Sequence, residues 1–406
     1  MDRPEIITDR TRLESCCRRW RRAGRLAFDT EFIRDDTYEA ELCLVQVATG
    51  GEVVLIDPTA GMDLSPFWDL VTDASVTTVV HAGKEDFEVC LRTTGRPPRR
   101  VFDVQIAAGF VGLGYPLSLG RLVNLVLHRR IAKGQTLTDW LRRPLTEEQL
   151  GYAVEDVAHL PTLHERLAQR LKELGRTAWA EEEFAVYEDG ALYRRPVEQR
   201  LLRLKGTKQL DGLGLLILAR LIEWRDRWAQ TRNRPARALM RDDVLVTIAK
   251  RRPRRAAELQ VLRGFHQSRK TRIVDEILEI VRQAAATPPS QWPEPFKPHD
   301  ESPMTKATLD ILSAFARAVC HEEGVSYELV GPAQRLRELL DHLRGASPAR
   351  PALLSGWREE FVGRRLVDLL RGRSELHLSG WPDNPRLTVV HHPPERHEAP
   401  GQACAG

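Results

Sequence analysis

No stretch of the 406 residues approaches the roughly 18 consecutive apolar residues that a membrane-spanning helix needs, so no membrane partner is expected. The first ten residues, MDRPEIITDR, are charged and lack the apolar core of a secretory leader, and a cytoplasmic location is the expectation. Cysteine is scarce. The six present (Cys16, Cys17, Cys43, Cys90, Cys320 and Cys404) form no CxxC pair and no metal-ligand spacing, which excludes a zinc ribbon or a disulfide scaffold. They read as reduced, with Cys43 and Cys90 in the core. GxxxxGK[ST] is missing too, so nothing supports an ATP-driven motor, and there is no low-complexity tract.

What is present suits two to four globular domains, since single cores stop growing well below this length and the apolar fraction is 42%. The net charge of +4 conceals an asymmetry. Residues 1–190 carry 24 Lys and Arg against 31 Asp and Glu, residues 191–286 carry 23 against 10, and residues 287–406 carry 14 against 16. An acidic domain of −7 thus adjoins a basic one of +13. Such a contrast fits a polyanion held by the basic part, and equally the arginine bias of a GC-rich genome.

Along the chain, short Val-, Leu- and Ile-rich runs at Leu26–Phe32, Leu42–Thr49, Glu52–Ile56 and Thr77–Val80 predict strands, and Gly50-Gly51 predicts a tight hairpin between the second and third. Beyond Val80 the apolar spacing turns helical at Asp86–Leu91, Gln105–Phe110 and Leu119–Leu127. Together these predict an α/β domain over 1–190. Helical periodicity from Gly212 onward predicts a small all-α domain over 198–286. Six prolines between 288 and 303 mark 287–303 as a linker. A second helical domain is expected over 304–384, from Ala307–Glu323, Pro332–Leu343 and Arg358–Arg371, and a disordered tail over 385–406.

Candidate chemistry lies in the first block. In Leu26-Ala27-Phe28-Asp29-Thr30-Glu31-Phe32, alternation puts Asp29 and Glu31 on one strand face about 7 Å apart by the strand rise, where they repel and call for something positive nearby. The plainer reading is an edge strand bearing surface acids, and for this motif alone it leads. In Val79–Phe87 a strand breaks at Gly83 into a helix, which places Asp86 in the first turn beside the strand's C-terminal end. A first-turn acid also complements the helix dipole. His81 and Lys84 read as structural or electrostatic. Thr146 and Gln149 have capping-box spacing, and on the helix they start, Tyr152 and Asp156 stand four residues apart on one face. A surface Tyr–Asp hydrogen bond would look the same. Asp103 reads as a helix N-cap.

The motifs taken in order resemble ribonuclease D: FDTEFIRDDTYEAELCLVQVATGGEVVLIDP, HAGKEDFEVC, FDVQIAAGF and QTLTDWLRRPLTEEQLGYAVEDVAHL. The likeness is dense over about residues 20–175 and fits the tyrosine subclass of the DEDD exonuclease superfamily. It implies a ribonuclease H-like α/β exonuclease domain followed by two small all-α HRDC-like domains, the second resting mainly on SGWREEF. It also implies that Asp29, Glu31, Asp86 and Asp156 bind metal and that Tyr152 positions the attacking water. Asp35-Asp36 departs from the family by making a loop more acidic, which would lower local affinity for phosphate.

The implied activity is hydrolysis of RNA from its free 3′ end, in tRNA processing or RNA turnover, releasing nucleoside 5′-monophosphates, with tRNA precursors among the candidate partners. Four converging carboxylates need cations, and hard oxygen ligands select two Mg²⁺ or Mn²⁺ ions. Tyrosine, with a reference pKa near 10, suits orienting water better than deprotonating it. A DNA exonuclease is the nearer alternative, because the cleft motifs do not read the sugar. A non-catalytic RNA-binding protein is the farther one, opposed by five intact chemical positions. The basic block is expected to hold the body of a structured RNA, such that a chain ending near Glu198 would still cleave short strands.

Overall fold

The computed structural model describes residues 4–33, 37–131, 138–194, 196–265, 271–295, 302–383 and 386–391, with the side chains of Glu198, Leu202 and His391 set aside. The first domain is a six-stranded mixed sheet in the order β1 (Glu5–Ile7), β4 (Glu52–Ile56), β3 (Glu41–Thr49), β2 (Arg25–Ile33), β5 (Thr77–Val80), β6 (Val101–Asp103). The β2–β3 and β3–β4 pairs are antiparallel, and the others are parallel. Gly50 and Gly51 both adopt positive φ in the β3–β4 turn, a conformation that a side chain would strain.

Helices cover both faces. On one, α1 (Arg10–Ala23), α2 (Ser65–Val71) and α3 (Lys84–Thr94) bury Trp20, Phe67, Trp68 and Phe87. Phe28 of β2 meets Phe67, Trp68 and Phe87 edge-on, at centroid separations of 5.4, 6.3 and 5.8 Å. The alternation that sends Phe28 into this core sends Asp29 and Glu31 to the other face. The domain continues with α4 (Val104–Phe110), α5 (Leu119–Leu127), α6 (Glu147–Ala158), α7 (Leu160–Glu173) and α8 (Thr177–Ala185). The helix α6 lies over the acidic face, where Leu150 and Ala153 pack on Leu44 of β3 and Leu55 of β4.

The basic block folds as α9 (Val197–Arg203), α10 (Gly212–Arg232), α11 (Ala236–Leu239), α12 (Asp242–Arg251), α13 (Ala256–Gln260) and α14 (Thr271–Ala285). Its core is its own: Leu218, Leu221, Leu245, Ile248 and Ile277 belong to an apolar cluster that takes nothing from the nuclease half. It touches the first domain where Asn233 Oδ1 accepts from the Tyr38 amide at 3.2 Å and Gln230 donates to the Tyr38 hydroxyl at 3.3 Å.

The last block contains α15 (Pro303–Glu323), α16 (Tyr327–Val330), α17 (Ala333–Leu343), α18 (Gly356–Arg358) and α19 (Arg364–Leu370), with a wide π turn at Glu359–Gly363. The boundary expected at 304 separates chain segments without separating cores. Phe315, Leu339, Trp357 and Leu366 are buried in the same cluster as Phe110 of α4, and the Trp357 and Phe110 rings lie 4.9 Å apart. Arg176 donates to the carbonyls of Phe110 at 2.7 Å and Gly324 at 3.1 Å, while Glu183 accepts from Trp357 and Arg358 at 2.7 and 2.6 Å. A chain ending near Glu198 would strip this cover and expose apolar core, so removing the basic helices tests their role better than truncation does.

The expected tail also differs. Arg386–His391 pairs as β8 with β7 (Ser374–Ser379), with Leu378 opposite Leu387, because the run Leu387–Val390 has the β-branched character of a strand. Residues from 392 lie outside the described set. No helix among the described residues is long and apolar enough to cross a membrane.

Candidate active site

The edge-strand reading of Asp29 and Glu31 fails on topology. β2 is an interior strand, paired with β3 along its length and with β5 over Arg25–Ala27, so the acids lie just past the end of β5, and both are half-buried. A register shift between Glu31 and Phe32 interrupts the pairing just past the second acid before it resumes at Phe32–Leu42. Carboxylate oxygens of Asp29, Glu31 and Asp156 all lie within 4.8 Å of one another, closer than the strand rise suggests because side chains on one face can lean together.

Each remaining residue is brought in by its own element. Asp86, buried at 6% exposure, sits in the first turn of α3. It stands outside the tight trio but close enough for its charge to act on Asp29 and Glu31. The hydroxyl of Thr30, between the two strand acids, donates a short hydrogen bond to Asp86 Oδ1. Helix α6 starts with a complete capping box: Gln149 N–H donates to Thr146 Oγ1 at 3.2 Å, and Thr146 N–H donates to Gln149 Oε1 at 2.9 Å. This fixes the helix that carries Tyr152 and Asp156 one turn apart. The Trp140 ring, 6.0 Å away, backs the Tyr152 ring.

Among the described residues no lysine or arginine is ion-paired with Asp29, Glu31, Asp86 or Asp156, so none of these supplies the positive partner expected beside the strand acids. The electrostatic consequence is large. Burial, then the charges of Asp86, Asp156 and Glu31, push the Asp29 carboxyl well above its ordinary range. Burial followed by Asp156 and Asp86 raises Glu31 to about 8. Burial raises Asp86 to about 6 against the opposing Thr30 hydrogen bond, and raises Asp156 to about 6 against that of Tyr152. Burial and the nearby Asp156 and Glu31 charges hold the Tyr152 hydroxyl protonated far above neutral pH. An acid cluster that suppresses its own ionisation, with Asp156 Oδ2 buried and unpaired, has the hard-oxygen donor set that suits a divalent cation.

The neighbouring residues take quieter roles. A ring nitrogen of His81 lies 2.8 Å from the Leu117 carbonyl, and Lys84 is exposed. Asp103 caps α4 through the Gln105 and Ile106 amides and accepts from the Tyr187 hydroxyl at 2.8 Å. Asp35-Asp36 lies outside the described residues. Sequence reasoning missed Thr30 and Trp140: the first was signalled only by its place between two acids, and the second by nothing local.

The chain is similar to known nucleases over nearly its whole length. A family described as 3′-5′ exonuclease matches residues 4–172, and the HRDC domain family matches residues 215–281. Ribonuclease D of Zymomonas mobilis is 34% identical over 91% of this chain and 94% of its own, and that of Pseudomonas paraeruginosa is 35% identical over 90% and 98%. The crystal structure of Escherichia coli RNase D, described as an exoribonuclease involved in structured RNA processing, superposes with a TM-score of 0.81 at 29% identity, covering 91% of this chain and 99% of that one. With a buried acid cluster, an exonuclease domain and an HRDC domain in the same order along nearly the whole length, the chain belongs to the ribonuclease D family of 3′-to-5′ exoribonucleases.

Proposed function

We propose that Asp29, Glu31, Asp86 and Asp156 hold two Mg²⁺ or Mn²⁺ ions, that Tyr152 positions the attacking water, and that the substrate is a structured RNA with a free single-stranded 3′ end, such as a tRNA precursor. The convergence of three carboxylates within 4.8 Å, with no basic partner among the described residues, carries this reading. Bound by these carboxylates, the cations would supply positive charge to favour in-line attack of water on phosphorus and departure of the 3′ oxygen. The protein does the rest. The sheet and α6 set the carboxylates before substrate arrives, and Thr30 fixes the rotamer of Asp86. Tyr152, whose hydroxyl is held protonated in the metal-free site by burial and the neighbouring acids, suits accepting from or donating to the water better than deprotonating it.

The basic domain supports the substrate assignment. Arg252, Arg255 and Arg272 are occupied in ion pairs with Asp211, Glu258 and Glu276, so part of the +13 is internal to the bundle. Lys205, Lys208, Arg251 and Arg254 are exposed, while Arg269 and Lys270 lie outside the described residues. A groove of about 770 Å³ on α10 and α14 is lined by Trp224, Trp228, Arg227 and Arg232, and the Arg232 guanidinium stands 4.7 Å over the Trp228 ring. Arginine beside an aromatic face suits phosphate and unpaired base together. The same end of α10 meets Tyr38, seven residues after Glu31.

Copies of a hairpin RNA with a single-stranded 3′ tail, labelled at the 5′ or the 3′ end and compared with DNA of the same sequence, test the proposal. Stepwise release of nucleoside 5′-monophosphates from the RNA tail, stalling at the duplex and faster than from DNA, is expected. Equal rates on DNA would favour the DNA-exonuclease reading.

A further inference from the structure

The cross-strand partner of Asp29 is Gln46 of β3, whose other neighbours in the same row are Leu55 of β4 and, beyond it, Ile6 of β1. Residues opposite one another on neighbouring strands share a face, with Cβ atoms about 5 Å apart. Gln46 therefore lies under α6, between the catalytic acid on one side and the apolar cluster of Leu44, Leu55, Leu150 and Ala153 on the other. It is fully buried, and neither its amide nitrogen nor its amide oxygen has a hydrogen-bond partner among the described residues. On that same face, Asp156 Oδ2 is likewise buried and unpaired. Buried amides are almost always satisfied, and a leucine or methionine would fill this position without the cost of an unmet donor and acceptor. A core position that keeps such a group beside a metal-binding acid points to work done by the amide.

We infer that Gln46 is a positioning residue: its neutral amide N–H holds the ionised carboxylates of Asp29 and Asp156 in their cation-binding orientation. The inference rests on the metal-site reading above. A neutral donor fits the task because a lysine or arginine there would neutralise the acids and compete with the cations, whereas an amide steadies a carboxylate without adding charge.

The test is the substitution Gln46→Met, of similar shape but apolar, in the full chain, read by Mn²⁺ calorimetry, thermal unfolding without metal, and steady-state kinetics on a short RNA. Removing an unpaired buried amide should leave the metal-free protein as stable as before or more so. Mn²⁺ should bind about 10- to 100-fold more weakly, the usual range for an outer-shell partner, and kcat should fall by a similar factor with KM unchanged. Gln46→Asn, which keeps the amide on a shorter arm, should lie between. A methionine variant at least as stable, with wild-type Mn²⁺ affinity and kcat, would show that Gln46 only packs. If that variant fails to fold, the asparagine variant decides: wild-type Mn²⁺ affinity in it overturns the inference. Should wild-type protein and Asp29→Asn bind Mn²⁺ equally, the metal-site reading itself fails, which is a different result.

Discussion

The acidic and the basic halves of this molecule solve opposite electrostatic problems by opposite means. In the nuclease domain, like charges are forced together and kept from solvent, so that Glu31 is pushed to about 8 and Asp86 and Asp156 to about 6. In the HRDC domain, opposite charges are paired on the surface, as in Arg255–Glu258 and Arg282–Glu279, where each pair contributes little to stability. The cores differ in the same sense. The basic bundle buries its own cluster, whereas the nuclease core is completed by helices more than a hundred residues further along the chain. Strained charge therefore sits in the part held together by the largest core, and adaptable charge in the part that could move as a unit.

The sharpest break in the comparison is loss of a single acid. Asp29→Asn or Asp156→Asn, assayed in single turnover at saturating Mg²⁺, should lower hydrolysis by at least about three orders of magnitude. The metal-free variant should unfold at the same temperature as wild type or higher, since repulsion is relieved. Retained activity in either variant would reject the assignment.

Tyr152→Phe comes next. Turnover should fall by about two to four orders of magnitude, the range for a positioned proton-handling group, with the RNA dissociation constant nearly unchanged. Equal loss of binding would make Tyr152 a stacking residue instead.

On the basic side the effects should be smaller and confined to binding. Trp228→Ala should weaken binding of a tailed hairpin by about 5- to 100-fold, the equivalent of one stacked base, without slowing cleavage of a short strand at saturation. Replacing Arg227 and Arg232 by alanine should flatten the log–log salt dependence by about 0.7–0.9 for each phosphate that the pair neutralises. An unchanged slope on a tRNA-sized RNA would leave these arginines as solvation for the bundle.

The smallest effect is on stability against pH. Because the cluster's carboxyl groups titrate above their unfolded values, the metal-free fold binds more protons than the unfolded chain. Their contribution is full below about pH 4 and is lost as pH rises through about 6 for Asp86 and Asp156 and about 8 for Glu31. Melting temperature without metal should thus decline across that window, and Mg²⁺ or Asp29→Asn should flatten the decline.

Much of this was legible before the structure. Strand alternation placed Asp29 and Glu31 on one face, helical spacing put Tyr152 and Asp156 a turn apart, and the Thr146–Gln149 cap marked where their helix begins. Those are local regularities, and local periodicity determines them. Three features were hidden because they depend on which distant elements meet. Whether β2 lay at an edge or in the centre decided between surface acids and a reaction centre, and no single strand carries that information. Thr30 owes its importance to a neighbour on α3, and Gln46 to neighbours on β2 and α6. The docking of Trp357 and Arg358 onto α4 and α8 turned a segment that looks like a separate domain into part of the nuclease core, since helical periodicity shows that a face is apolar without showing what it covers.

Metal-dependent attack from the 3′ end is tested most directly by a time course of the full-length chain on 5′-labelled and 3′-labelled copies of one single-stranded RNA, in Mg²⁺ and after addition of EDTA. The expected result is a descending ladder from the 5′ label, nucleoside 5′-monophosphate as the first product from the 3′ label, and arrest of both by EDTA with recovery on restoring Mg²⁺. Release from the 5′ end, or a rate that EDTA leaves untouched, would contradict it.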